Sequence, residues 1–511
     1  MAYGTITTSR TYLTQQLSKL SNSMTEKTAQ LASGKKATTY GGIGNQRLLD
    51  LELTQKVTRI ESYEQTITMA KLHIETLNLT LDRMEKLRIE AKDTMDLNNF
   101  ELQSDGQTST QATAEILLHE VISLLNAEIG GHYLFGGSDA NTNPVLEVDQ
   151  ILHGRDGKAG LLTVLDEFAQ ANLGAGGMGR LDVSALTTVL DGFGDPLTST
   201  FSVTEDGAHD FGFDISAVTS TLSNVTITGP LGGDPDGFDV EFSGQPVPGE
   251  TISIELALPP DGRLVTVDLT ASASAGGEGV FQIGNDLAET AANLRAAVTA
   301  ALQEEAQTSL RAASDTWAAD SFFDTFGGAE PMRVAGPPFD TATGLIAGGS
   351  ATVAWYRGEN TPTANARTDK TAVVDDNLRI GYGVRANEQG LADVVKTLAT
   401  FVAADFSSGT ATAENYYSAL AGDLKSTLQP LGTDRSGIVG ITTEIAVAYK
   451  TIGYTSDRHT LMKSSYLGTI DKIEGIDKET VAIELLQMQT NIEASYRATS
   501  IVLNLSLTNY I

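Results

Sequence analysis

Apolar side chains recur every three or four residues over most of the first 130 positions of the chain. A first run is followed by a glycine-containing stretch at 33–44, and a longer run covers 53–91. Steps that alternate between three and four keep the apolar positions on one helix face and are typical of a long coiled coil. A third run covers 110–129, where Gly130 and Gly131 should stop the helix. The pattern predicts three helices.

The last part of the chain shows the same periodicity. It covers about 387–404, 411–428 and 434–473, and a final helix is expected to begin near Asp477, a residue type that favours the N-cap position. Apolar positions of this helix continue almost to the last residue, Ile511. Helix ends fray unless something packs against them, so the terminal helix is expected to have a packing partner.

The middle of the chain is rich in Gly, Asp, Thr and Ser and alternates apolar with polar residues over short stretches, which is typical of strands. The predicted strands are 224–228, 238–242, 251–256 and 264–269. The last two of these should form a hairpin across 259–262, and one helix is predicted after them, at about 284–313.

These patterns predict an α + β multidomain fold. Long antiparallel or coiled-coil helical segments at 1–145 and 350–511 should pack together, and 146–349 should form a β-rich inserted outer domain. Burying one apolar seam residue stabilises a protein by about 1.5–3 kcal/mol, so a monomer that left whole seams exposed to water would lose this stabilisation and tend to aggregate. We therefore expect the terminal seams to form a polymer interface. Its predicted residues are Leu13, Leu17, Leu20, Met24, Leu485, Met488, Ile492, Tyr496, Leu503 and Leu507.

Composition narrows the classes of function. The formal net charge is -31, which disfavours polyanionic partners such as nucleic acid or an acidic membrane surface. The sequence contains no Cys, so it has no disulfides, thiol nucleophiles or thiolate metal ligands. The first ten residues lack the apolar core of a secretory signal peptide, and no apolar run is long enough to span a membrane.

Three motifs that could carry chemistry are better explained as structure. Gly174, Gly176 and Gly179 match a G-x-G-x-x-G pattern, but a helical pattern precedes them where a dinucleotide site requires a strand. The segment 234–239 resembles a calcium loop, yet Phe238 occupies a ligand position, which favours a turn. The six histidines show no metal-ligand spacing, and His73 and His119 should be solvated or interfacial.

No catalytic, cofactor-binding or metal-binding residue is therefore predicted, no cofactor is expected, and the favoured class is a non-enzymatic structural protein. The alternative from another class is a secreted hydrolase or carbohydrate-binding module at 146–349 carried on helical ends. Such an insertion should bring together carboxylates or a metal set, and the sequence shows neither.

Several segments resemble bacterial flagellin-superfamily proteins. Residues 31–36 (LASGKK) are similar to the turn near the start of these proteins, and 87–93 (LRIEAKD) to a helix that follows it. The segments 131–138 (GHYLFGGS) and 143–145 (NPV) resemble hook–filament junction proteins. Further segments with this resemblance are 355–360 (WYRGEN), 380–388 (IGYGVRANE), 487–499 (QMQTNIEASYRAT) and 505–511 (LSLTNYI).

One departure bears on the subtype. Filament flagellins carry an acidic Asp-Asp-Ala-Ala-Gly segment after the first turn, whereas 37–44 here reads ATTYGGIG. This favours the hook–filament junction subtype over the main filament-forming flagellin, although the length of 511 residues points the other way unless the insertion is enlarged.

The resemblance implies a structural subunit of the bacterial flagellum. Its partners would be copies of itself, other hook-associated proteins and flagellin, with a type III export chaperone shielding the C-terminal seam. It would be extracellular, leaving the cell through the flagellar type III system without a cleaved signal. It would contact no nucleic acid and insert into no membrane.

Overall fold

Long helices at both ends of the chain and short strands in its middle make up the computed structural model, which describes residues 3–274, 276–362, 365–430 and 437–508. The predicted mixture of helix and sheet is confirmed. The helices are α1 Tyr3–Ser33, α2 Arg47–Thr94, α3 Ser109–Leu125, α4 Val148–His153, α5 Leu161–Leu173, α6 Leu287–Glu305, α7 Arg311–Phe323, α8 Gln389–Ala403, α9 Ala411–Thr427, α10 Ile438–Glu474 and α11 Lys478–Thr508.

The strands are short and mostly antiparallel. They are β1 Glu128–Ile129, β2 His132–Tyr133, β3 Leu181–Val183, β4 Thr187–Leu190, β5 Pro196–Glu205, β6 Asp214–Ser220, β7 Val225–Thr228, β8 Gly237–Phe242, β9 Thr251–Leu258, β10 Arg263–Ser272, β11 Val280–Gln282, β12 Met332–Val334, β13 Leu345–Ala347, β14 Thr371–Asp375 and β15 Leu378–Gly381.

The chain forms two compact units. The first contains Met1–Lys71, Ala372–Ile380 and Lys450–Ile511, and the second contains Leu72–Thr371 and Gly381–Tyr449. Helices α2 and α10 contribute residues to both units. The sequence-based division at 145/146 and 349/350 stays a prediction.

Within the first unit, α2 and α10 run antiparallel. Tyr63 of α2 stacks on His459 of α10 with ring centroids 5.8 Å apart, and the Lys56 ammonium lies 5.8 Å from the Tyr466 ring centroid. Buried apolar residues from both helices lie along this contact, where their removal from water stabilises the pair. These residues are Leu53, Val57, Ile60, Ile67 and Ile452.

The second unit contains two larger sheets, whose core is shared by the helix α6, besides the two-stranded sheets β1-β2 and β12-β13. One sheet has the order β11-β10-β9-β6, and the other has the order β3-β5-β8-β7 with β4 beside β5. The predicted hairpin is confirmed, since Arg263 of β10 pairs with Leu258 of β9. Alternating side chains of the strands meet apolar residues of α6 in one core. Its members include Phe201, Val240, Phe242, Ile254, Leu256, Leu269, Leu294 and Val298.

Several elements differ from the sequence-based prediction. Helix α2 begins at Arg47 and not at 53, and 146–349 contains α4 and α5 besides the one helix predicted near 284–313. Helix α3 ends at Leu125, four residues earlier than predicted, because Ile129 and His132 pair across a two-residue hairpin turn. Gly130 and Gly131 have positive φ angles of 60° and 80°, as such a turn requires, so they turn a hairpin and do not stop a helix. The helix predicted over 284–313 continues through a π-helical turn into α7 and ends at Phe323.

Candidate assembly surface on the terminal helices

The first and last helices of the chain pack against each other in antiparallel orientation within the first unit. The Lys27 ammonium pairs with the Glu484 carboxylate at 2.6 Å. At the ends of these helices, the Lys36 N–H donates to the carbonyl of Glu474 at 2.6 Å and the Ile476 N–H donates to the carbonyl of Gly34 at 3.1 Å. These bonds join the loop after α1 to the loop before α11.

The turn after α1 depends on a glycine. Gly34 has a φ of +73°, and its N–H donates to the carbonyl of Gln30 at 2.8 Å, which is the usual end of a helix in the left-handed region. The Lys36 ammonium then donates to the carbonyl of Ile473 at 2.9 Å, near the negative end of α10. The turn in the LASGKK segment thus brings the start of α11 beside α1.

The start of α11 is fixed by the predicted cap residue. Asp477 accepts hydrogen bonds from the backbone N–H of Glu479 at 3.0 Å and from the Thr480 hydroxyl at 2.7 Å. These bonds hold the pKa of the Asp477 carboxyl below its usual range. The predicted N-cap at this position is confirmed.

The predicted interface residues do not all occupy the same kind of position. Six are half-buried on α1 and α11, whereas Tyr496 is 59% exposed. Leu13, Leu503 and Leu507 lie outside the residues whose side chains the structure describes. The half-buried residues are Leu17, Leu20, Met24, Leu485, Met488 and Ile492.

A groove lies at the contact between α1 and α11. It has a volume of about 420 Å³. Its lining residues are Gln16, Leu17, Lys19, Leu20 and Ser23 of α1 and Ser495 and Thr499 of α11. Ser and Thr are too short to fill the space opposite the two leucines. The two helices therefore leave apolar surface of α1 only half-covered.

A second set of apolar side chains on the terminal helices points to solvent. Ile483 and Leu486 are 65% and 63% exposed. Leu486 lies one residue from Leu485 and Ile483 lies two, which rotates them about 100° and 200° away from it around a helix with 3.6 residues per turn. The apolar periodicity did not predict them, because they lie outside the single seam that it defines. Other exposed apolar residues on these helices are Tyr12 and Ile501.

A buried carboxyl group lies where α2 begins in the first unit. Asp50 is 0% exposed, and within the described part of the chain neither of its oxygens has a hydrogen-bond partner. Burial raises the pKa of this carboxyl, the neighbouring Glu474 carboxylate raises it further, and Lys35 lowers it. The folded state thus binds a proton here more readily than the unfolded state, so this group destabilises the fold as the pH rises above about 4.

Asp50→Asn is therefore expected to stabilise the protein by about 1 kcal/mol at pH 7, because it removes an unpaired buried charge and supplies an N–H that can donate to Glu474. Thermal unfolding at pH 7 and pH 4 measures this, and the gain should shrink at pH 4. The matched control is Asp82→Asn, at an exposed carboxylate paired with Lys86. Destabilisation of the Asp50→Asn protein at pH 7 would contradict this explanation.

The chemical motifs have structural roles in the second unit. Gly174 ends α5 and is followed by a loop and then β3, the reverse of the order that a dinucleotide site requires. In the calcium-like segment, Asp236 accepts hydrogen bonds from the backbone N–H groups of Gly237, Leu231 and Gly233, which lower the pKa of its carboxyl. The segment forms a turn, which the sequence favoured over a calcium loop.

Of the two positions expected for His73, solvated or interfacial, the structure shows the interfacial one. His73 is buried, beside the Tyr382 ring at a centroid distance of 6.4 Å, and neither ring nitrogen has a hydrogen-bond partner among the described residues. Burial lowers the pKa of its imidazole, and the Lys370 charge lowers it further. His73 thus extends the apolar face of α2, next to the fully buried Ile74. His119 is exposed as expected.

The described residues contain neither a metal-binding cluster nor a helix that could span a membrane. No three His, Asp or Glu side chains in this part of the chain are placed to hold a metal ion together. None of its helices combines the length and apolar character needed to cross a membrane.

No protein-family model matches this chain, and no curated protein sequence matches it significantly. Among solved structures, the chain is similar to the crystal structure of flagellar hook associated protein-3 from Legionella pneumophila. The match covers 86% of this chain and 98% of that chain, with 12% sequence identity and a TM-score of 0.23. At this TM-score the similarity carries no conclusion about function.

Proposed function

We propose that this protein is a structural subunit of the bacterial flagellum that assembles through its terminal helices, most specifically at the hook–filament junction. The observation that carries the proposal is the pairing of the two chain ends, α1 and α11, with apolar side chains still exposed on the pair. The flagellin-like segments at 31–36, 131–138 and 487–499 lie in or near the helical ends and support the same function.

The exposed side chains suit a subunit that associates only when it has several neighbours. Ile483, Leu486, Tyr496 and Ile501 are each 58–65% exposed. Burying these four side chains against neighbouring subunits would contribute about 1–2 kcal/mol per residue to the free energy of association, or roughly 4–8 kcal/mol together. The loss of translational and rotational freedom on association costs about 4–15 kcal/mol, so one such contact is marginal and a ring of contacts is stable.

In this proposal the neighbours are copies of the chain, other hook-associated proteins and flagellin. A type III export chaperone would cover the same apolar surface before export, and the protein would be extracellular. The β-rich segment 146–349 would face solvent, where its Asp-rich composition keeps it soluble. No catalytic role is proposed for it.

The junction subtype is proposed over the main filament-forming flagellin because the acidic segment of filament flagellins is replaced. Its position is occupied in part by the 3₁₀ helix Tyr40–Gln46, and the exposed residues Leu48 and Leu49 follow it. A filament subunit must contact copies of itself without limit through one heterologous interface. A junction subunit has to contact two different sets of neighbours and needs only about one ring.

The purified protein is therefore expected not to grow long filaments from seeds of itself at neutral pH. A strain lacking it should carry bare hooks and release flagellin into the medium. Electron microscopy of seeded samples and immunoblotting of the medium measure the two results, with purified flagellin on flagellin seeds as the control. Micrometre-long homopolymers would contradict the junction subtype in favour of filament flagellin. Unchanged flagella in the deletion strain would contradict both the junction subtype and the filament subtype.

A further inference from the structure

Two segments of the first unit are bonded to each other where the terminal helices meet the rest of the chain. Residues 34–36 follow α1, and residues 473–476 lie between the last turn of α10 and the start of α11. The backbone hydrogen bonds and the Lys36 ammonium contact described above join the two segments, and the Lys35 ammonium adds an ion pair with Glu474 at 2.6 Å. Together the two segments form a clasp that holds α11 beside α1.

The carboxyl group of Asp50, in the first turn of α2, lies beside this clasp. Asp50 is 0% exposed, and no described residue donates a hydrogen bond to either of its oxygens. The two charged side chains that act on this carboxyl, Lys35 and Glu474, both belong to the clasp. Burying an ionised carboxylate without hydrogen-bond donors costs far more than burying the neutral acid. Closure of the clasp is therefore easier around a neutral Asp50.

The charges that face Asp50 come from three elements and oppose each other. Glu474 at the end of α10 disfavours a second negative charge, whereas Lys35 after α1 and the N-terminus of α2 favour it. Burial is the largest influence, and together with Glu474 it outweighs Lys35 and raises the pKa of the Asp50 carboxyl. The nearby Tyr40 acts on Lys35. Asp50 thus binds a proton more readily in the closed clasp than in an open one.

We propose that Asp50 is a proton switch that makes closure of this clasp, and with it the pairing of α1 and α11, depend on pH. The neutral carboxyl supplies an O–H donor for the Glu474 carboxylate while Lys35 keeps its ion pair. The ionised carboxyl places two negative charges beside one ammonium group. Closure is fully favoured below the ordinary aspartate pKa of about 3.9, and this preference is lost as the pH rises through the raised pKa of Asp50.

The switch would regulate the surface through which the protein is proposed to assemble. Helices α1 and α11 enclose the half-covered apolar groove, so opening of the clasp at higher pH would free apolar surface for neighbouring subunits. This consequence rests on the proposed flagellar function, whereas the pH dependence of the clasp itself does not.

Hydrogen exchange of the full-length monomer from about pH 5 to about pH 8, followed by mass spectrometry, tests the switch. The N–H groups of Lys36 and Ile476 report on the clasp, because each donates across it. After correction for the intrinsic pH dependence of exchange, their protection should fall at least about three-fold over this range. Asp50→Asn should keep the protection found at the lowest pH throughout, because its side chain does not ionise.

Three comparisons separate the switch from a general loss of stability. Asp82→Asn, at an exposed carboxylate paired with Lys86, should retain the fall in protection. The buried Phe213 of the second unit, whose N–H donates to the carbonyl of Gly179 at 2.9 Å, should keep constant protection. Glu474→Gln removes the repelling charge and should reduce the fall by at least about half.

Protection of the Lys36 and Ile476 amides that does not change with pH would overturn the proposal. A fall that persists in Asp50→Asn, or an equal fall at Phe213, would overturn it as well. These results come from the isolated monomer, so they would leave the flagellar function to be decided by incorporation into flagella. Absence of the protein from flagella together with an intact pH response would contradict the flagellar function and leave the switch standing.

Discussion

Replacing Ile483 and Leu486 together with aspartate is expected to lower incorporation of the protein into flagella at least about ten-fold. Both side chains are about two-thirds exposed on α11, so the substitutions remove little packing from the folded monomer. They would place two charges where the proposed neighbours bury apolar surface, and burying an unpaired charge costs several kcal/mol. Immunoblotting of sheared flagella measures incorporation.

The matched control is the double substitution Leu190→Asp and Leu197→Asp. These residues are 57% and 55% exposed, and they lie on β4 and β5 in the segment proposed to face solvent. Incorporation should be unchanged, and the unfolding temperature of each double variant should stay within about 2 °C of the original protein. Normal incorporation of the Ile483 and Leu486 variant would show that this face of α11 makes no assembly contact.

Arg385→Met is expected to lower the free energy of unfolding by about 3–5 kcal/mol. The Arg385 side chain is 0% exposed, and its Nε and Nη2 donate to the two oxygens of Asp369 at 2.6 and 3.0 Å. Its Nη1 also donates to the carbonyl of Thr361 at 3.0 Å. Loss of the guanidinium would leave the Asp369 carboxylate buried without its counter-charge. Chemical denaturation followed by circular dichroism measures the loss.

A double variant separates the cost of the unpaired Asp369 charge from the cost of losing the packing of the Arg385 side chain. Arg385→Met combined with Asp369→Leu removes both charges, and it should recover more than half of the stability lost in the single variant. Lys56→Met is the exposed comparison, since Lys56 pairs with Glu52 on the surface of α2 and should contribute less than about 1 kcal/mol. A loss below about 1 kcal/mol for Arg385→Met would mean that the buried pair does not stabilise the fold.

The sequence alone predicted the elements whose signal is local. The periodicity of 53–91 predicted α2, and the Asp477 side chain predicted the start of α11, because a helix face and an N-cap are determined by residues within one or two turns. The hairpin of β9 and β10 was predicted for the same reason, since both strands and their turn are adjacent along the chain.

The errors arose where a distant or competing contact decides the structure. The apolar run at 110–129 was extended through Ile129, but this residue pairs with His132 in a hairpin, which competes with continued helix. For His73 the choice between a solvated and an interfacial position depends on Tyr382, more than 300 positions away along the chain. Neither contact can be predicted from the few residues that surround Ile129 or His73 in the sequence.

The candidate surface could be predicted only in part. Periodicity predicted an apolar face on each terminal helix, but it could not separate residues that face the other terminal helix, such as Leu485, from residues that face solvent, such as Leu486. That distinction depends on the angle at which α1 approaches α11.

The most direct test of the flagellar proposal is the position of the protein on intact flagella. An epitope inserted in the loop between β4 and β5, where Phe193 is 95% exposed, allows immunogold labelling without altering the terminal helices. The proposal predicts a narrow band of gold particles where the hook meets the filament. Label along the whole filament would contradict the junction subtype, and flagella without label in cells that secrete the tagged protein would contradict the flagellar function itself.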